Sequence, residues 1–235
     1  MFLILLLLAL APCLFLFWYF VHRDKYEPEP KKYIIKIFLL GALMVLPGFL
    51  IEVMLEPIFT TPFQILNAFM LAFILIAPVE ELLKFLVVKK WIYDKIEFDE
   101  VMDGIVYCVA SSLGFATVEN IFYVFNNGIG TGILRAFLSV PGHAFFGALM
   151  GFYIGQAKFN KPAEKKLIFL GILFAILTHG LFDFLLLTKT VFAIFVIALI
   201  IFLGFLTRGN LKKAETQSKM RLEQEAKSCI QSFEK

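Results

Sequence analysis

The stretch FQILNAFMLAFILIAPVEELLKFLVVK, residues 63–89, decides how this chain is read. It is long and apolar enough to cross a hydrocarbon core of about 30 Å, which needs roughly 20 such residues in a helix. Yet it carries Glu80, Glu81 and Lys84 inside the apolar run. Ionisable groups at that depth are costly unless paired or hydrated, so the stretch reads as a membrane span that bears chemistry.

Working outward, six further spans are expected at about 2–22, 33–55, 101–125, 136–156, 166–187 and 190–207, with polar or charged breaks between them. The fold class is then all-α, a polytopic transmembrane bundle of about seven spans. One membrane-embedded domain covers residues 1–207, its motif-bearing core being 78–184, and a polar tail covers 208–235. The composition agrees: 60% of the 235 residues are hydrophobic and the mean hydropathy is +0.84, more apolar surface than a soluble domain of this size can bury. Strand-type alternation is absent, which argues against a barrel. Ala9-Leu-Ala11 could pass for a cleavage site, but the run stays apolar to Val21, so the first span reads as a retained helix.

Lys and Arg fall unevenly between the spans: four in 23–32, none in 56–62, three in 89–100, one in 126–135, four in 157–166, one in 188–189 and seven after Thr207. Under the positive-inside rule this alternation puts the N-terminus outside and the C-terminus inside a plasma (inner) membrane. The tail, rich in Lys, Glu, Gln and Ser, is expected as a solvated or membrane-surface helix. The net charge of +3 is gathered in particular loops and the tail rather than spread over a face, which offers no nucleic-acid partner. Cys13, Cys108 and Cys229 are far apart and form no C-x-x-C pair, so neither disulfides nor a thiolate zinc site is expected; Cys13 reads as a lipid-facing thiol.

Polar residues in the apolar segments fall into four spans: Glu80, Glu81 and Lys84 in the third, Glu119 and Asn120 in the fourth, His143 in the fifth, and His179 with Asp183 in the sixth. Lys84 lies three and four residues after the two glutamates, so it can neutralise one of them while the other faces elsewhere. Two adjacent carboxylates in low dielectric do not both stay ionised without a cation, which suits one of them to general acid–base work. His179 and Asp183 share a face at i and i+4, where the carboxylate can hold one imidazole nitrogen and leave the other free for a metal or substrate. Gly147, Gly151 and Gly155 follow His143 at four-residue steps, a small-residue stripe that admits a neighbouring helix. At about 1.5 Å per residue, Glu119, His143, His179 and Glu80 lie roughly 10, 12, 15 and 17 Å below the outer face. Their convergence in depth points to one site.

Two histidines and a carboxylate make a three-ligand set for catalytic zinc with a fourth position for water. Glu119, His143 and His179 are the expected ligands, Glu80 or Glu81 the base that takes the proton of the attacking water, Asn120 or Lys84 the oxyanion donor, and Asp183 the partner of a ligand. A metal-free version, in which glutamate and histidine activate water directly, uses the same residues. No H-E-x-x-H or G-x-S-x-G occurs, which excludes a zincin and a serine nucleophile of that kind. Gly128 to Gly132 reads as a flexible outer turn, Asp103 as a carboxylate at a helix N-terminus, and His22 as an interfacial residue.

Four motifs in this order resemble the PrsW family of bacterial intramembrane proteases, related to the CAAX-type prenyl-protease superfamily. They are Glu80-Glu81-x-x-Lys84, Phe115-x-x-x-Glu119-Asn120 preceded by Asp103-Gly-Ile-Val-Tyr107, Pro141-Gly-His143-Ala, and His179-Gly-Leu-Phe-Asp183-Phe. The resemblance implies cleavage of a single-pass, membrane-anchored substrate of the anti-sigma-factor type on its extracytoplasmic side. In the wider superfamily the second motif usually ends in histidine, where this chain has Glu119. Two other classes compete: a non-catalytic membrane scaffold of the same superfamily, which does not need a second buried carboxylate, and a proton-coupled transporter, for which no inverted repeat or pair of broken helices is found.

Overall fold

A backbone in lipid must satisfy its own hydrogen bonds, and uniformly apolar runs without strand alternation do so as helices. The computed structural model describes the backbone of residues 1–233 and, except for Glu225, the side chains to Ser228. The side chain of Cys229 and residues 234–235 lie outside what is described. All regular structure among those described is helical: α1 (Phe2–Val21), α2 (Lys31–Leu43), α3 (Val45–Phe59), α4 (Gln64–Phe69), a π-helix (Met70–Ile76), α5 (Ala77–Trp91), α6 (Val101–Phe137), α7 (Ser139–Phe159), α8 (Glu164–Leu187) and α9 (Phe195–Phe233), with short 3₁₀ turns before α8 and α9. Among the described residues, five stretches are long and apolar enough to cross a membrane: α1, α2–α3, α6–α7, α8 and α9. Large apolar side chains such as Phe15, Phe49, Phe169 and Phe202 face outward, as lipid as solvent allows.

The stretch 63–89 forms α4, the π-helix and α5 in continuous succession. Pro78 has no amide to donate, and the wider π turn runs into α5 just before it, so the chain passes the proline without breaking and delivers Glu80, Glu81 and Lys84 to the interior.

α6 is the axis of the bundle, buried without exception from Val101 to Thr117. Glycines let its neighbours approach backbone to backbone. A Cβ on Gly151 would collide with the Gly104 carbonyl and one on Gly155 with the Val101 carbonyl, so the expected stripe is the α6–α7 seam. On another side of α6, Gly41 of α2 meets the Ser111 backbone and Gly114 meets Phe38 of α2.

Two expectations are corrected. Residues 126–135 are not an open loop: within the α6 range two helical segments meet at a sharp turn on Gly128, whose φ of 83° only glycine adopts freely, and the second segment folds back and runs to Phe137. Cys13 does not face lipid but is fully buried, on the helix that packs along α6. α9 runs unbroken from the last span through residue 208 and buries Leu211, Ala214 and Ser218 beyond it.

Candidate active site

α5 places two carboxylates and an ammonium on one helix face. Lys84 Nζ donates to Glu80 Oε2 at 2.9 Å and to Glu81 Oε1 at 2.8 Å, so it serves both glutamates rather than one. Its long stem reaches the i−3 and i−4 positions equally. The same Nζ lies 3.2 Å from His143 Nδ1 and 4.5 Å above the Phe115 ring. Three acceptors and an aromatic face thus offset the desolvation of a side chain that is only 1% exposed.

α7 and α8 bring the imidazoles in from the other side. His179 Nδ1 is 2.8 Å from Glu81 Oε1, while its Nε2 is 3.3 Å from Asp183 Oδ2 and 4.0 Å from Glu80 Oε2. Its ring stacks on Phe146, with centroids 4.9 Å apart and planes 16° apart, and meets the His143 ring edge-on at 5.2 Å. Both nitrogens of His179 therefore face carboxylates, and its orientation is fixed.

His143 is held from behind. Glu119 Oε2 lies 2.9 Å from His143 Nε2 and 3.1 Å from Arg135 Nη2. Arg135 Nε donates to Asn120 Oδ1 at 2.7 Å, and Asn120 Nδ2 donates to the Ala9 carbonyl at 2.8 Å. Arg135 comes back to this network because α6 bends at Gly128. Asn120 consequently points at α1 and Arg135, not at the glutamates.

The structure thus brings Glu80, Glu81, Lys84, Glu119, His143, His179 and Asp183 together and turns Asn120 away. Two residues that sequence reading passed over join them. Arg135 falls in an expected loop, and Glu52 of α3 lies near an expected span end, where charge is unremarkable. A cavity of about 630 Å³ opens beside the cluster, and Glu52, Glu80, Glu119, His143, His179 and Asp183 all line it. The rest of its lining is largely apolar, including Phe49, Phe122 and Phe182, and also carries Arg135, Asn126, Asn127 and Ser139. Glu52 Oε1 is buried there without a hydrogen-bond partner.

Glu80, Glu81, His143 and His179 each offer one ligand atom, and the four atoms lie within 4.8 Å of one another. This groups the α5 glutamates, rather than Glu119, with the two imidazoles. The set combines the oxygen and nitrogen donors that zinc takes at catalytic centres. Glu81 Oε2 is buried and unpartnered, an acceptor that the protein itself does not satisfy. The donors therefore fit a divalent metal, with Lys84 as the cation already among them.

Fold and site together define a multi-pass membrane protein with a buried carboxylate–imidazole centre on an internal cavity. The chain belongs to the PrsW family: residues 29–207 match the family described as PrsW family intramembrane metalloprotease. It is 43% identical to "Protease PrsW" of Geobacillus kaustophilus, over 77% of this chain and 79% of the relative. It is 39% identical to that of Oceanobacillus iheyensis over 88% and 94%, and 34% identical to that of Bacillus subtilis over 91% and 97%. No solved structure matches. The family makes the chain an intramembrane protease of the bacterial plasma membrane.

Proposed function

We propose that the chain hydrolyses a peptide bond of a single-pass membrane protein, admitted to the cavity between α3, α6 and α8, at the Glu80–Glu81–His143–His179 centre. The observation that carries this is the pairing of that four-donor cluster, including the unsatisfied Glu81 Oε2, with a cavity large enough for an extended peptide segment.

Glu80 lines the cavity and serves as general base for the attacking water; Glu81, behind it, holds His179 and shares Lys84. Asp183 fixes His179 from Nε2, and Glu119 fixes His143 from Nε2 while Arg135 offsets its charge. Lys84 spreads positive charge over both glutamates and supports the oxyanion, whereas Asn120 acts through Arg135. The apolar walls exclude bulk water and strengthen each of these interactions. A zinc ion held by His143, His179 and one or both α5 glutamates would supply Lewis-acid polarisation of the scissile carbonyl and of water.

Seven crossings with the N-terminus outside complete the reading, the seventh being the continuous α4–π–α5 run, and residues 208–235 then form a cytoplasmic tail on α9. In this orientation the Gly128 turn, with Asn126 and Asn127 beside it on the cavity, faces the extracytoplasmic side, which suits a substrate of the anti-sigma-factor type cut near that surface.

Elemental analysis of the detergent-purified chain tests the metal. About one zinc per chain, lost in both His143→Ala and His179→Ala, supports the metalloprotease form. A metal-free wild type that still cleaves transfers the chemistry to Glu80 and the histidines alone, with Lys84 as the cation among them.

A further inference from the structure

At the N-terminal end of α6 the chain buries four more carboxylates. Asp24 and Glu29 lie in the α1–α2 connection, Glu100 just precedes α6 and Asp103 stands in its first turn; they are 5%, 7%, 4% and 0% exposed. Glu29 is accounted for: its Oε2 accepts from the Tyr107 hydroxyl, and its amide donates to Asp24 Oδ2 at 3.1 Å. Asp103 Oδ2 accepts the amides of Asp99 and Glu100, both at 2.7 Å, which is the expected helix-terminus role.

Half of the cluster has no such explanation. Asp24 Oδ1 and Asp103 Oδ1 are buried without a hydrogen-bond partner, while the buried Glu100 carboxylate, which faces the Asp103 amide as the other half of a capping box, has no cation beside it. Among the described residues no Lys, Arg or His forms an ion pair with any of these three side chains: the nearby Arg23 pairs with Glu215, and Arg221 with Glu27 and Asp99. One oxygen from each of Asp24, Glu100 and Asp103 lies within 4.8 Å of the other two. Three buried carboxylates that converge so closely repel one another unless a cation or protons sit between them. With protons as the occupants, burial and then the Glu100 charge push the Asp24 carboxyl up to about 8.

We propose that Asp24, Glu100 and Asp103 bind a hard divalent cation of the magnesium or calcium kind. The donors are all oxygen, with no imidazole or thiolate among them, the set that such ions take and that zinc or copper does not prefer. The ion ties the α1–α2 connection to the start of α6. Sixteen residues of helix, about 24 Å, separate Asp103 from Glu119, so this site is distinct from the active centre.

Terbium(III) luminescence, with terbium as the calcium analogue, tests the site on the detergent-purified full chain. The expected result is one saturable terbium site, competed by calcium or magnesium. Half-saturation rises at least about tenfold in Glu100→Gln and in Asp24→Asn and is unchanged in the active-centre variant Glu81→Gln; calcium or magnesium also raises the melting temperature of wild type. Three results overturn the proposal: no saturable binding in folded wild type, binding indifferent to both Glu100→Gln and Asp24→Asn, or binding lost in Glu81→Gln alone. None of these readouts involves proteolysis, so failure here and failure of the protease assignment are distinguishable.

Discussion

Arg135→Met tests the support behind His143. The guanidinium sits between Glu119, at 3.1 Å, and Asn120, at 2.7 Å, and over the Tyr123 ring at 4.3 Å. Methionine keeps most of the volume but leaves Glu119 without its arginine and Asn120 Oδ1 without a donor. Removing one partner of a fully buried pair costs about 3–5 kcal/mol. Because the Arg135 and Glu119 side chains keep 11% and 19% exposure on the cavity, the lower end applies, about 3 kcal/mol. For a chain of this length that is a fall of roughly 6–12 °C in melting temperature. Glu119→Gln added to Arg135→Met removes the stranded charge, and the double variant should melt above the single one, a coupling of about 1–3 kcal/mol. Thermal unfolding of the four proteins in one detergent measures the cycle. Wild-type stability in Arg135→Met, or strictly additive losses in the double variant, would refute the account of this network.

Glu52→Gln should leave the melting temperature unchanged or higher, since Oε1 has no partner to lose, while lowering cleavage by about tenfold if the cavity charge positions substrate; an unaltered cleavage rate refutes a role for Glu52. Asp183→Asn should reduce cleavage or metal content about 10–100-fold at near-normal expression, as loss of a partner to a ligating histidine does. Gly151→Val drives side-chain carbon into the Gly104 backbone and should cost about 1–3 kcal/mol or more, read as reduced melting temperature with reduced activity.

Much of the site was legible because lipid makes polarity conspicuous: Glu80, Glu81, Lys84, Glu119, His143, His179 and Asp183 stand out from apolar runs at helical spacing. Glu52 obeys the same rule but stands close to an expected boundary, where a charge has an ordinary interfacial explanation. Arg135 was hidden by the Asn-Asn-Gly-Ile-Gly composition around Gly128, which signals a turn, whereas the chain needs only one unusual φ there and resumes helix. The direction of Asn120 and the burial of Cys13 depend on helix rotation, and α1 is too evenly apolar to carry a stripe that fixes it. The seam between α6 and α7 was half visible, since the stripe on α7 was clear but its partner, Gly104 on α6, depends on the packing.

The most direct test of the central assignment is mass spectrometry of new N-termini on single-pass membrane proteins in cells producing wild type, Glu80→Gln, Glu81→Gln or His179→Ala at matched levels. The expected result is a set of cleavage sites at or just inside the extracytoplasmic membrane face that appears with wild type and is absent from all three variants. The same termini appearing with the three variants as with wild type would contradict the placement of proteolysis at this centre.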